Sequence, residues 1–170
     1  IRGRVAHESL FNVNDGRYRC PSTQQGYSSF STWTRGAAWI IAGYPEQLEF
    51  LDTLSDEELS PYGTRQEIEE FMLQAATAAC DFYISETPTD GIPYWDTGAP
   101  GLTAADMIGP ANPFHELEPV DSSAAAIAAQ GLLRLGKLTD DAQYTAVGYT
   151  VLSTLLSEPY LSTDAGHEGL

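Results

Sequence analysis

The residues best suited to chemistry on a bound ligand lie in Trp33-Thr34-Arg35-Gly36-Ala37-Ala38-Trp39. Arg35 and Trp39 are four residues apart, so on a helix they share a face. An indole offers a flat apolar surface to a sugar ring, and a guanidinium offers a fork of donors to a carboxylate. A site near a helix N-terminus favours an anionic ligand. The same residues would also suit a core Trp beside a surface Arg, and spacing alone does not separate the two readings. Trp33 supplies a second indole. Upstream, Gln24 and Gln25 carry amides that both donate to and accept from hydroxyls. His7 is a further candidate polar group. Downstream, Tyr94-Trp95-Asp96 joins aromatic surface to a carboxylate. Asp121-Ser122-Ser123 reads first as a helix cap and second as a hydrogen-bonding lip at a helix N-terminus.

Other chemistries find no support. The sequence has no Gly-rich phosphate loop and no nucleophile elbow. His7, His115 and His167 are far apart, and the pair Cys20 and Cys80 fits neither a zinc pattern nor a disulfide framework. No metal and no cofactor is therefore expected. The net charge is −16, from 24 acidic and 8 basic residues. That balance argues against nucleic acid and against anionic membranes as partners. No apolar run approaches the roughly 20 residues that span a bilayer. A solvated acidic surface accounts for the charge, so an anionic ligand would need cations gathered locally. Nothing in the sequence assigns a compartment.

These residues must be positioned by helices. Asn12 to Gly16 carries an Asp-Gly turn flanked by Phe11 and Tyr18, which predicts a small hairpin. A polar loop follows from Pro21 to Phe30. The first helix is expected to start near Thr32 to Thr34, capped by their hydroxyls, and to stop or kink near Tyr44 ahead of Pro45. It would resume through Leu48 and Leu51. Residues 55–64 read as an acidic loop. A helix is predicted from Thr64 to about Ser85, with a capping box of Thr64 and Glu67 and an apolar face of Ile68, Phe71, Met72, Ala75, Ala76, Ala79, Phe82 and Tyr83. Cys80 falls in its core pattern. The connection from Thr87 to Pro119 is long and rich in Pro and Gly, as functional loops are. A helix then runs from Asp121 or Ser122 and ends at Gly136, and another spans about Thr139 to Ser157. Helical pairs joined alternately by short and long connections suit an all-α array of hairpins such as an (α/α) barrel.

Taken in order, several segments resemble the unsaturated glucuronyl hydrolases of glycoside hydrolase family 88. They are His7-Glu8-Ser9-Leu10-Phe11, Ser22-Thr23-Gln24-Gln25-Gly26-Tyr27, the Trp33 to Trp39 segment, Pro93-Tyr94-Trp95-Asp96 and Asp121 to Ala128. Gly166-His167-Glu168-Gly169-Leu170 extends the likeness. The resemblance implies an (α/α)6 barrel. Residues 1–170 would be one partial barrel domain, roughly its second half, truncated at both ends. It implies an oligosaccharide with a terminal unsaturated uronic acid as ligand, of the kind polysaccharide lyases produce. His7, Gln25, Arg35 and Trp39 match positions that line the family's sugar pocket. Trp33, Trp95 and Asp96 complete the candidate set. In the family reaction an Asp protonates the C4=C5 vinyl ether, water adds at the neighbouring carbon, and the hemiketal collapses to release the remaining sugar. The family's catalytic aspartates lie upstream of anything matching Ile1, so no residue here is assigned as general acid. Ala37, where many relatives carry a larger or polar residue, and Pro45 depart from the family pattern. Two alternatives accompany this reading. One is an unsaturated rhamnogalacturonyl hydrolase, the other a carbohydrate-binding barrel without catalysis. The isolated chain is expected to expose apolar helix faces, to self-associate and to be inactive.

Overall fold

A computed structural model describes residues 1–98 and 120–157. The expectations at His115, Pro119 and His167 lie outside the described residues. The elements are β1 (Glu8–Phe11), β2 (Tyr18–Ser22), α1 (Thr34–Leu51), α2 (Asp56–Leu59), α3 (Arg65–Glu86), α4 (Ser122–Thr139) and α5 (Ala142–Leu155). No helix of the described residues is long and apolar enough to cross a membrane.

The hairpin forms as predicted. β1 and β2 pair antiparallel, with Glu8 opposite Ser22 and an irregularity between Leu10 and Phe11. Gly16 takes a φ of 68°, which a side chain would resist, and closes the turn. Phe11 and Tyr18 meet edge to face at 5.8 Å.

The helices lie side by side in the order α3, α1, α4, α5. Three contacts fix α1 and α4 as parallel neighbours. Arg35 meets Asp121 near both N-termini, Gly131 lies against Ile41 midway, and Arg134 pairs with Glu46 and Glu49 further along. α3 runs back against α1, since Arg65 donates to the Leu51 carbonyl at 2.8 Å while Ile40 and Ala79 share a cleft near the other end. α5 runs back against α4, with Gly136 beside Thr145 and Leu133 beside Gly148. Two parallel helices, each covered by an antiparallel one, are two hairpins of an (α/α) array. The N-termini of α1 and α4 therefore open at one end. The core between them is rich in alanine (Ala38, Ala76, Ala79, Ala124 and Ala128) around Ile41, Leu132, Leu135 and Cys80. Small side chains let the helix axes approach closely. Burial pushes the Cys80 thiol up to about 12.

Four local expectations need correction. The hydroxyls of Thr32 and Thr34 do not cap α1, whose N-cap is Trp33 without a side-chain cap bond. They donate instead to the carbonyls of Val5 and Tyr94, at 3.1 and 2.7 Å. Nor does α1 stop at Pro45, which is buried within it. Proline withholds its donor from the Ile41 carbonyl. Gly131 of α4 comes so close there that a Cβ would lie 2.3 Å from the Ile41 oxygen. The freed carbonyl is thus covered by the backbone of α4. Gly136 does not end α4, which continues to Thr139 and closes on Asp140 with a left-handed φ of 53°. Its missing side chain makes room for Thr145, whose Oγ1 would be 2.4 Å from a Cβ. Residues 55–64 contain the short helix α2, capped by Ser55 and Glu58. Of the predicted apolar face of α3, Ala76, Ala79, Phe82 and Tyr83 are buried and Phe71 is exposed.

Two stability predictions arise here. Gly131→Ala gains about 1 kcal/mol of helix propensity but forces overlap with backbone, a clash costing about 1–3 kcal/mol or more. A net loss of about 1 kcal/mol is expected in chemical denaturation, and an unchanged midpoint would contradict the close approach. The second prediction concerns acid. Glu58 and Glu67 each accept from the N-cap backbone amide and hydroxyl of their capping boxes, and these bonds lower both carboxyls below the ordinary 4.5. A depressed folded pKa means that the contribution is complete above the unfolded value and disappears as pH falls through the folded one. Circular dichroism during acid titration should show helix stability falling below 4.5, less steeply in the Glu58→Gln, Glu67→Gln double variant. Equal slopes would refute the assignment.

Candidate functional site

The hairpin, the loop after it, the start of α1, the strand-like segment 93–97 and the start of α4 converge at the open end. Thr34 N donates to Trp95 O at 3.1 Å and Thr97 N to Thr32 O at 3.0 Å, a short antiparallel bridge between Trp33 and Asp96. Asp121 N donates to Pro93 O at 2.9 Å, which joins α4 to the same segment.

Trp33 is the centre of a half-buried cluster. Its ring lies 4.7 Å from that of His7, and the Arg35 guanidinium carbon sits 5.7 Å from its centroid. The ring folds back over its own helix, where a Cβ at Gly36 would be 3.0 Å from Trp33 Cε3. Any larger residue at 36 would push the indole away. Arg35 donates from Nε to Asp121 Oδ2 at 3.0 Å, and its side chain remains 34% exposed while Asp121 is buried. Among the described residues, neither terminal nitrogen of Arg35 has a hydrogen-bond partner. The guanidinium is therefore anchored through Nε, with no described residue on its terminal nitrogens. Asp121 also caps α4, its Oδ1 accepting from Ala124 N and Ser123 Oγ, both at 2.8 Å. The positive ends of α1 and α4 and the Arg35 charge meet here, with Asp121 between them as the local counter-charge.

Trp39, 58% exposed, sits one helical turn beyond Arg35 on α1. Gln25 is exposed on the loop that carries Thr23 and Gly26. His7 adjoins that loop, its Nδ1 lying 3.1 Å from Thr23 Oγ1. Trp95 is half-buried and contributes its backbone carbonyl to the bridge. Asp96 has a different place from the other candidates. It is fully buried, and its carboxylate turns inward to accept from Tyr27 N at 2.9 Å and Gly98 N at 2.8 Å. It pins the Gln25 loop to the 93–97 segment rather than facing solvent. Among the described residues no group of His, Cys, Asp and Glu is arranged to hold a metal ion.

Sequence reasoning did not find Asp121 as the partner of Arg35, because 86 positions separate them. Thr23 also escaped notice as the partner of His7. The hairpin register carried that signal, since pairing Glu8 with Ser22 sets position 7 opposite position 23.

No protein-family model matches the chain. Among curated proteins, it is 31% identical over 162 residues to an unsaturated glucuronyl hydrolase from Formosa agariphila, covering 94% of this chain and 33% of that protein. It is 28% identical over 157 residues to an unsaturated chondroitin disaccharide hydrolase from Streptococcus agalactiae, covering 89% of this chain and 32% of the relative. Among solved structures, the unsaturated glucuronyl hydrolase of Bacillus sp. GL1, described as responsible for glycosaminoglycan degradation, superposes with a TM-score of 0.64 at 26% identity. That match covers 91% of this chain and 34% of the other. These enzymes are (α/α)6 barrels, the architecture to which the two hairpins found here conform. The chain spans about a third of the length of the relatives it matches. In sequence and in fold, it is a relative of the unsaturated glucuronyl hydrolases over nearly all of its own length.

Proposed function

We propose that the protein carrying this chain hydrolyses oligosaccharides that end in a C4=C5 unsaturated uronic acid, and that this chain supplies the wall that binds the uronate. The observation that carries the proposal is the half-anchored guanidinium of Arg35. Asp121 binds Nε, no described residue takes either terminal nitrogen, and the guanidinium carbon lies 5.7 Å from the Trp33 ring centroid. A planar carboxylate matches that fork, and exposed Trp39 offers stacking surface one turn away. His7 and Gln25 lie on the hairpin side, where they suit sugar hydroxyls.

Neither nearby carboxylate suits the proton donor. Asp96 is buried and accepts from two backbone amides, and Asp121 is bound to Arg35 and to the α4 cap. Both oxygens of each carboxyl are already engaged by these partners, whereas a general acid must lie within hydrogen-bond reach of the substrate. The acid that protonates the vinyl ether is therefore assigned to residues other than these two. With C4 protonated, water adds at C5, and the resulting hemiketal opens to release the remaining sugar.

The test is incubation of the full-length protein with lyase-generated unsaturated glycosaminoglycan disaccharides. The ultraviolet band of the conjugated double bond should fade as the released sugar appears, and saturated disaccharides should be untouched. A protein that leaves every unsaturated disaccharide intact overturns the proposal.

A further inference from the structure

The environment of His7 specifies which of its nitrogens carries the proton. Gln24 N lies 3.3 Å from His7 Nδ1 in hydrogen-bond geometry. A backbone N–H can only donate, so this long contact favours a lone pair on Nδ1 without enforcing it alone. Thr23 Oγ1, 3.1 Å from the same nitrogen, already accepts from Gly26 N at 2.8 Å. Its own hydrogen is free to point at Nδ1, completing a relay from Gly26 N through Thr23 Oγ1 to His7. With two donors on Nδ1, the neutral ring carries its proton on Nε2. The Trp33 ring 4.7 Å away restricts how the imidazole can turn.

We propose that Thr23 is a positioning residue that holds His7 as the Nε2–H tautomer, so that His7 meets the sugar as a hydrogen-bond donor and not as a base. The substrate half of this statement rests on the proposed function, and the tautomer half does not. A neutral Nε2–H cannot take a proton at that nitrogen. It can donate to a hydroxyl or ring oxygen of the bound uronate.

The tautomer is read directly by long-range proton–nitrogen correlation spectra of the full-length protein with 15N-labelled histidine, without substrate and well above neutral pH. The expected result is a pyridine-type Nδ1 and a pyrrole-type Nε2 for His7, unchanged in Thr23→Ser. Thr23→Val should give a mixed tautomer signal and a roughly tenfold lower kcat/KM on unsaturated disaccharides, about the worth of one hydrogen bond. Thr23→Ser should restore both. A protonated Nδ1 in the wild-type protein overturns the inference. So does a Thr23→Val variant that keeps the wild-type spectrum. If Thr23→Val does not fold, the wild-type and Thr23→Ser spectra still decide. Absence of hydrolysis with the expected spectrum would overturn the proposed function and leave the tautomer assignment standing.

Discussion

Arg35→Ala should lower kcat/KM on unsaturated uronyl disaccharides by about 10²–10³-fold. Removing one member of a desolvated, hydrogen-bonded charge pair costs about 2–5 kcal/mol, and each 1.4 kcal/mol is tenfold. A grip on a carboxylate that stays charged throughout the reaction acts on substrate and transition state alike. The loss should therefore fall mainly on KM, with kcat changing less. Arg35→Lys is the sharper variant. It keeps the charge, yet a single ammonium cannot hold Asp121 and also present a planar fork to the ligand. We expect it to recover little of the activity. Stability should change less than activity, because the Arg35 side chain is one-third exposed and solvent weakens its pairing with Asp121. If kcat/KM is unchanged in both variants, Arg35 does not meet the substrate.

The second large effect is expected at Asp96, and it concerns stability. Asp96→Ala leaves Tyr27 N and Gly98 N without their acceptor, each at a cost of about 1–3 kcal/mol. A total near 4 kcal/mol is expected. The space is also tight, since a Cβ at Gly26 would lie 2.9 Å from Asp96 Oδ2. Asp96→Asn keeps one oxygen acceptor but turns its NH2 toward the other amide, so an intermediate loss is expected. Activity should fall with the unfolding midpoint, because the loops around His7, Gln25 and Trp33 share this anchor. Urea denaturation of both variants checks the order. An Asp96→Ala protein as stable as wild type, with only KM raised, would return Asp96 to the role of a sugar contact.

Local rules made much of this fold legible. Thr64 and Glu67 announced α3 because the capping box is a short-range pattern, and Asp15-Gly16 announced the hairpin for the same reason. Ser55 and Glu58 form the same box, yet the segment reads as loop because it is acidic and leads into Pro61-Tyr62-Gly63. Pro45 and Gly136 were read as helix breakers, and both instead serve the packing of neighbouring helices. The Gly131 approach that covers the Ile41 carbonyl belongs to tertiary structure and leaves no mark near Pro45. In the site, the placing of Trp39 on one face with Arg35 was legible from spacing on one helix. The role of Asp96 was not, because an aromatic pair followed by a carboxylate reads alike whether the carboxylate faces solvent or backbone amides. Asp121 declared itself as a cap, but its second oxygen, the one that anchors Arg35, is a contact that only folding creates.

The account centres on the wall from Trp33 to Trp39 as the place where a uronate carboxylate is held. A crystal structure of the full-length protein with an unsaturated uronyl disaccharide bound tests this most directly. The predicted result is a carboxylate about 2.8 Å from the terminal nitrogens of Arg35, the Arg35–Asp121 pair intact, and the sugar ring stacked on Trp39. A carboxylate bound elsewhere, with the terminal nitrogens of Arg35 facing only water, would contradict it.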